Sequence, residues 1–336
     1  MTVTIRDVAR AARVSPATVS YVLNRSGRVS SPTRKTVLAA VRRLGYLPNL
    51  MARNLAKNTS QTLGIIVSDI ENPFFSEVTK GFEKRAREKG YDVILSDTDY
   101  DSEVTAVAAK RMLRQQVRGV AFITSEAALH SIRQMTARHT ALVFIDVGPV
   151  QAYVSNIKID YFSGIKAVID HLATLGHRQI AFVGARNDLY SNAARRDAYV
   201  RCMADLGMPL GCMLEGNSHF DGGLAAGAAI SQLDPLPTAI VAMNDLTAIG
   251  IIKALKSRNL RVPEDVSVTG FDCTQLAGYT TPSLTTVDLK RDLLGRMAAD
   301  VLHDLCTLPN HMGQEYLANA ELCVGESTGP ARNGKV

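Results

Sequence analysis

Thr4-Ile5-Arg6-Asp7-Val8-Ala9-Arg10-Ala11-Ala12-Arg13-Val14-Ser15-Pro16-Ala17-Thr18-Val19-Ser20-Tyr21-Val22-Leu23-Asn24 contains two helix starts in quick succession. Thr4 is an N-cap with Asp7 in the capping-box position three residues on. Ile5, Val8 and Ala12 then share one face. Arg13 and Val14 make a short turn. Ser15 caps the next helix, and Pro16 takes the first helical position, where its missing N–H costs nothing. Val19, Val22 and Leu23 are the inner stripe of that second helix, leaving Ala17, Ser20, Tyr21 and Asn24 to face elsewhere. After a loop containing Gly27, Ser31 and Pro32 repeat the cap-plus-proline start. Val37, Ala40, Val41 and Leu44 give a third inner face, and Gly45 ends it. Two short helices on a tight turn, braced by a third, are the helix-turn-helix plan. The competing reading of the same pattern is a three-helix bundle for protein contacts.

Charge separates the two readings. The chain of 336 residues carries a formal charge of +6. Residues 1–58 hold eleven basic side chains and one acidic one, Asp7, for a net +10, and the remainder is −4. So dense a positive segment is an electrostatic footprint for a polyanion. On the outer, early part of the second helix lie Pro16, Ala17 and Tyr21, the expected base readers. None offers the guanidinium fork that reads guanine, so specificity here leans on apolar contacts and a phenolic hydroxyl. Beyond Tyr46-Leu47-Pro48-Asn49, Leu50–Asn58 reads as one more short helix, marginal alone in water.

From Gln61 the pattern alternates. Strands are expected at Leu63–Val67, Val93–Leu95, Val117–Ile123, Ala141–Ile145, Ile180–Val183, Met213–Glu215, Ala239–Ala242 and Val266–Phe271, separated by helical stretches. This is the signature of βαβ units and parallel sheets. Asp69, Asp146, Asn244, Asp245 and Asp272 each follow a strand, Arg195 opens a helix, and Phe74 and Phe75 open the first long helix. Carboxylates, an amide and an arginine around aromatic faces form a cage for a small polar molecule. Each Asp alone also reads as the cap of the next helix.

Other classes find little support. There is no G-x-S-x-G elbow, P-loop, G-x-G-x-x-G or H-E-x-x-H, so no enzyme is expected. Cys202, Cys212, Cys273, Cys306 and Cys323 include no close ligand pair, and His171 and His177 are poorly spaced for a shared ion. No metal and no cofactor is therefore expected, and a reducing compartment fits best. Met1–Arg13 has no apolar signal core, and no run of eighteen apolar residues occurs; the expected location is the cytoplasm.

These motifs resemble the lactose-repressor (LacI/GalR) family over nearly the whole chain. Thr4–Ala9, Val14–Asn24 and Gly45–Asn49 with Ala52, Arg53 and Leu55 are similar to its first helix, recognition helix and hinge. Asn72-Pro73-Phe74-Phe75, Gly176–Phe182, Asn244-Asp245, Gly270-Phe271-Asp272 and Pro282–Val287 are similar to its body signatures. The resemblance implies a small all-α helix-turn-helix head on an α/β, periplasmic-binding-protein-like body of two lobes with parallel sheets. It implies a head at 1–48, a hinge helix and linker at 49–60, one lobe from 61–160 with 290–319, and another from 161–289 with 320–330. It implies a homodimer on a pseudo-palindromic DNA operator, acting as a repressor modulated by a small effector such as a sugar. DNA contacts are expected at Thr4, Ser15, Pro16, Ala17, Thr18, Ser20, Tyr21, Asn24 and Arg28, and at Asn49, Ala52, Arg53 and Leu55 of the hinge, with Leu55 wedged between base pairs. The effector set is Asp69, Phe74, Phe75, Asp146, Ser191, Arg195, Asn244 and Asp272. Two positions depart from the family. Tyr21 stands where members often carry arginine, and Tyr161 stands where they often carry asparagine, a change that alters the cleft mouth or has no effect.

Overall fold

The computed structural model describes residues 3–23, 27, 29–46, 60–124, 129–184, 190–308 and 312–332. The chain divides into two compact units, residues 1–60 and 61–336. The head holds α1 (Ile5–Ala12), α2 (Pro16–Leu23) and α3 (Ser31–Leu44). Thr4 N and Oγ1 donate to Asp7 Oδ2 at 3.0 and 2.6 Å, fixing the first turn of α1. Thr18 N donates to Ser15 Oγ at 3.1 Å, which starts α2. The start of α3 corrects the sequence reading by one residue. Ser30 is the cap, with its Oγ accepting from Thr33 N, and Ser31 is already helical. Gly45 closes α3 at φ 61°, a conformation a side chain would resist. Val8, Ala9, Ala12, Val19, Val22, Val37 and Ala40 form the core; Ile5, Leu23, Val41 and Leu44 pack half-buried around it.

The second unit has two parallel sheets. The first contains β1 (Thr62–Val67), β2 (Asp92–Asp97), β3 (Gly119–Ile123), β4 (Ala141–Ile145), β5 (Val154–Ile159) and β11 (Glu315–Ala318), in the order β11-β5-β4-β3-β1-β2. The second runs β7-β6-β8-β9, from Met213–Glu215, Ile180–Gly184, Ala239–Ala242 and Ser267–Thr269. Apolar runs such as Leu63–Val67 and Ala239–Ala242 are buried throughout, because helices cover both faces of a parallel sheet. Two strands of these sheets also bury polar residues: β5 buries Ser155 and Asn156, and β9 buries Ser267 and Thr269.

The chain passes between the sheets repeatedly. After β5 it enters α7 (Tyr161–Thr174) and the second sheet. After β10 (Thr286–Asp288) it enters α12 (Arg291–Thr307), which lies along α4 (Pro73–Glu88) in the first lobe. It then lays β11 on the edge of the first sheet and pairs β12 (Glu321–Cys323) antiparallel with β10. Helices α4 and α12 touch backbone to backbone through two glycines. A Cβ on Gly81 would lie 2.4 Å from the Asp292 carbonyl oxygen, and one on Gly295 would lie 2.0 Å from that of Val78. Neither position accepts a larger residue without moving a helix.

Candidate functional site: a charged cleft between two lobes

The strand ends of the two sheets converge on one narrow cavity. Its volume is about 40 Å³. Of the residues read from sequence, Phe74, Phe75, Asp146, Ser191, Arg195, Asn244 and Asp272 line it. Asp69 does not. Its Oδ1 takes the Glu71 N–H at 2.8 Å, and its Oδ2 lies 3.6 Å from His219 Nδ1 of the opposite lobe. A carboxylate two residues past a strand turns back onto its own loop here, which is the bland alternative for such residues.

Arg195, on α8 (Tyr190–Asp205), is the centre of the site. Its side chain is 6% exposed. The guanidinium carbon lies 4.4 Å from the ring centres of both Tyr161 and Phe271, so the cation is sandwiched between two aromatic faces. Nη1 donates to the Ser191 carbonyl at 3.2 Å and Nη2 to Asp272 Oδ1 at 3.3 Å. Nε is buried without a protein partner. A buried donor left unmatched costs stability unless something polar meets it.

Two carboxylates face this cation. Asp146 ends β4 in a left-handed conformation (φ 74°). Its Oδ1 accepts from Ile159 N at 2.9 Å, and its Oδ2 accepts from the Tyr161 hydroxyl. Burial pushes Asp146 up to about 6, against those two hydrogen bonds and Arg195, which favour the charge. Burial pushes Asp272 up to about 8, with Arg195 opposing and the neighbouring Asp245 adding repulsion. Asp245 stands behind the cavity, where it accepts from Thr274 N, Thr274 Oγ1 and Thr286 Oγ1 at 2.6, 2.9 and 2.6 Å. Asn244 is both cap and lining. Its Oδ1 takes Thr247 N, and its Nδ2 donates to the Ser218 carbonyl, each at 2.8 Å.

Several lining residues escape the sequence reading: Asn72, Tyr100, Thr124, Tyr161, Ser218 and Met243. Tyr161 is the most consequential. It is not at the mouth but in the wall, 6% exposed, holding Asp146 with its hydroxyl and Arg195 with its ring. Met243 belongs to the packed interior, and it also borders the cavity.

A second cluster ties the lobes together. Glu77 of α4 accepts Arg291 Nε at 2.7 Å and the Gln275 backbone N–H at 3.2 Å. Arg291 also donates to the Asp272 carbonyl and, at 3.3 Å, to Asp288.

In the head, Ser15, Pro16, Ala17 and Tyr21 are exposed along α2, with Thr18 and Ser20 half-buried beside them and Thr4 exposed at the start of α1. Tyr21 is 50% exposed, against Gly27. Arg6, Arg10, Arg13, Lys35, Arg42 and Arg43 are exposed. Among the described residues of the head the one ion pair is Arg10 with Asp7, at 3.6 Å. Asn24, Arg28, Asn49, Ala52, Arg53 and Leu55 lie outside the described residues, as does the expected hinge helix.

Residues 4–49 match the bacterial regulatory proteins, lacI family, and residues 169–328 match a periplasmic binding protein-like domain. Catabolite control protein A of Priestia megaterium is 34% identical over 290 residues, 85% of this chain and 87% of the relative. The chain belongs to the lacI family of bacterial regulatory proteins. Another family member, the ribose operon repressor of Escherichia coli K12, is 32% identical over 91% of this chain and 94% of its own length. Among solved structures, a lac repressor dimer bound to operator and the anti-inducer ONPF superimposes with a TM-score of 0.86 at 28% identity, covering 98% of this chain and all of that one. This lacI-family chain is thus a DNA-binding transcription regulator with effector-binding lobes, and its family is one of regulators, not of enzymes. No helix among the described residues is long and apolar enough to cross a membrane.

Proposed function

We propose that the effector is a neutral polyhydroxyl compound, a monosaccharide or close derivative, held between the lobes by Asp146, Arg195 and Asp272 with Phe74 as an apolar wall. The observation that carries this reading is the unmatched Arg195 Nε, set among carboxylates that face the cavity. Vicinal hydroxyls donate to a carboxylate and accept from a guanidinium at once. A phosphorylated sugar is disfavoured, because its dianion would sit against Asp146, which is charged at neutral pH. The present cavity is too small for a hexose, so binding parts the lobes or swings Tyr161 aside, and that movement is what couples the cleft to DNA.

On the DNA side, the regulator acts as a pair of copies on a pseudo-palindromic operator in the cytoplasm. Ser15, Pro16, Ala17, Thr18, Ser20 and Tyr21 meet the major groove, Thr4 and Arg28 the phosphates, Asn24 the groove edge, and Asn49, Ala52, Arg53 and Leu55 the minor groove. The exposed arginines of the head, of which Arg6, Arg13, Arg42 and Arg43 have no ion-pair partner among the described residues, and its +10 charge support this reading. Calorimetry with pentoses, hexoses, their phosphates and nucleobases tests the effector class. A neutral sugar binds and Arg195→Met abolishes it; binding confined to phosphates or nucleobases refutes the assignment. A mobility-shift assay with DNA from upstream of the protein's own gene tests the head, and binding indifferent to sequence would count against it.

A further inference from the structure

Two strands and the turn after Asp272 meet at the hinge, and each brings one soft or charged donor to the same place. Cys273 follows Asp272, both in positive-φ conformations (52° and 110°), so the chain turns sharply there. Asp288 ends β10, and Cys323 ends β12. Pairing of Thr286 with Cys323 puts Cys323 on the face of β10 that carries Thr286 and Asp288. The Cys273 N–H reaches the same face, donating to Thr286 Oγ1 at 3.2 Å. The two sulfurs and an Asp288 oxygen lie within 4.8 Å of one another, all three residues half-buried. Among the described residues this is the only such group of three.

We propose that Cys273, Asp288 and Cys323 bind a thiophilic divalent cation of the zinc class at the hinge between the lobes. Zinc takes sulfur at about 2.3 Å and carboxylate oxygen at about 2.1 Å, which separates tetrahedral ligands by about 3.5–3.8 Å. The three donors, within 4.8 Å of one another, need to close by at most about 1.3 Å to reach that spacing. Two thiolates and a carboxylate around a dication leave one net negative charge. Lys290 Nζ, 2.8 Å from Asp288 Oδ2, and Arg291, 3.3 Å from Oδ1, stand ready to offset it. Two thiol protons leave to solvent as the ion binds, and the fourth coordination position stays open to water. A disulfide would engage the two sulfurs alone and give the carboxylate between them no part. The bound ion pins the two hinge strands and the turn together next to Asp272, whose carbonyl Arg291 holds.

The test uses the full-length, reduced and metal-stripped protein, titrated with cobalt(II) and then zinc. One cobalt per chain gives a sulfur-to-metal charge-transfer band, and zinc displaces it. Cys273→Ser and Cys323→Ser each remove the band and weaken zinc binding by more than about tenfold. Cys202→Ser leaves both unchanged. Zinc also raises the melting temperature of the wild type and not of the serine variants. The proposal is overturned if the wild type gives no band at excess cobalt, or if the band survives in the Cys273→Ser/Cys323→Ser double variant. It is equally overturned if peroxide joins the two cysteines as a disulfide in a protein that takes no cobalt.

Discussion

The head wears its arginines on the surface; the body hides its most important one. Arg6, Arg13, Arg42 and Arg43 face solvent with no described partner, while Arg195 is clasped by two rings, a carbonyl and a carboxylate. The difference follows from what each cation meets. Phosphate oxygens arrive from outside, so the head needs charge that is hydrated and free to move, and its attraction weakens with salt. A small neutral ligand must be recognised by direction rather than by field, so the body fixes its charge in a dry setting where each hydrogen bond counts for more.

Substitutions can break this contrast. The largest effect is expected for Arg195→Met. It removes the hydrogen bonds to Ser191 and Asp272 and the cation held between the Tyr161 and Phe271 rings, and should destabilise the body by about 3 kcal/mol, while a head of separate core keeps its own transition. Calorimetric unfolding checks this; equal loss in both transitions would show that the two units are not independent. Next comes Asp146→Asn. The folded body holds a proton on Asp146 up to about 6, whereas the ordinary value is 3.8. The native state therefore binds that proton more tightly than the unfolded state. The contribution of Asp146 should fall as pH rises from about 4 to about 6 and then level off, on top of the longer fall that Asp272 carries on to about 8. Asparagine removes the Asp146 part of this slope and stabilises the empty protein at neutral pH by at most about 3 kcal/mol, at the expense of effector binding. Melting curves across that range decide it, and an unchanged slope would mean the carboxyl titrates normally.

Smaller effects belong to the head. Tyr21→Arg restores the side chain that family members often carry and should shift operator preference toward guanine at one position per half-site, by about 1–3 kcal/mol. Selection from a randomised operator library reads this directly. Arg6→Ala should change stability by less than about 0.5 kcal/mol, yet make the salt dependence of DNA affinity shallower by about one unit of slope. An unchanged slope would remove Arg6 from the phosphate contacts.

The same contrast governs what could be read in advance. Caps, prolines and apolar spacing in residues 4–45 are local signals, and they place all three head helices, with Ser30 for Ser31 the one slip. The alternation from 61 to 271 is also local, and the strands Ala141–Ile145, Met213–Glu215 and Ala239–Ala242 fall where expected. Strand β5 was not legible because Ser155, Asn156 and Lys158 interrupt its apolar run, and two of these are buried for reasons set by neighbouring strands. Tyr161 registered only as a departure from a family pattern; that its hydroxyl meets Asp146 fifteen residues back depends on the turn between lobes. The hinge cysteines stood fifty residues apart and looked unrelated. Only the antiparallel return of the last strand brings them together.

The glycine-to-glycine contact between α4 and α12 has a consequence for the order of events during synthesis. Helix α4 begins at residue 73, but the helix that seats against it ends at residue 307, and the edge strand beyond it ends at residue 318. The first lobe therefore cannot close until residues up to 318 have been made. The DNA-reading domain emerges more than two hundred residues earlier, so a nascent chain carries its DNA-reading face before it possesses the cleft that regulates it.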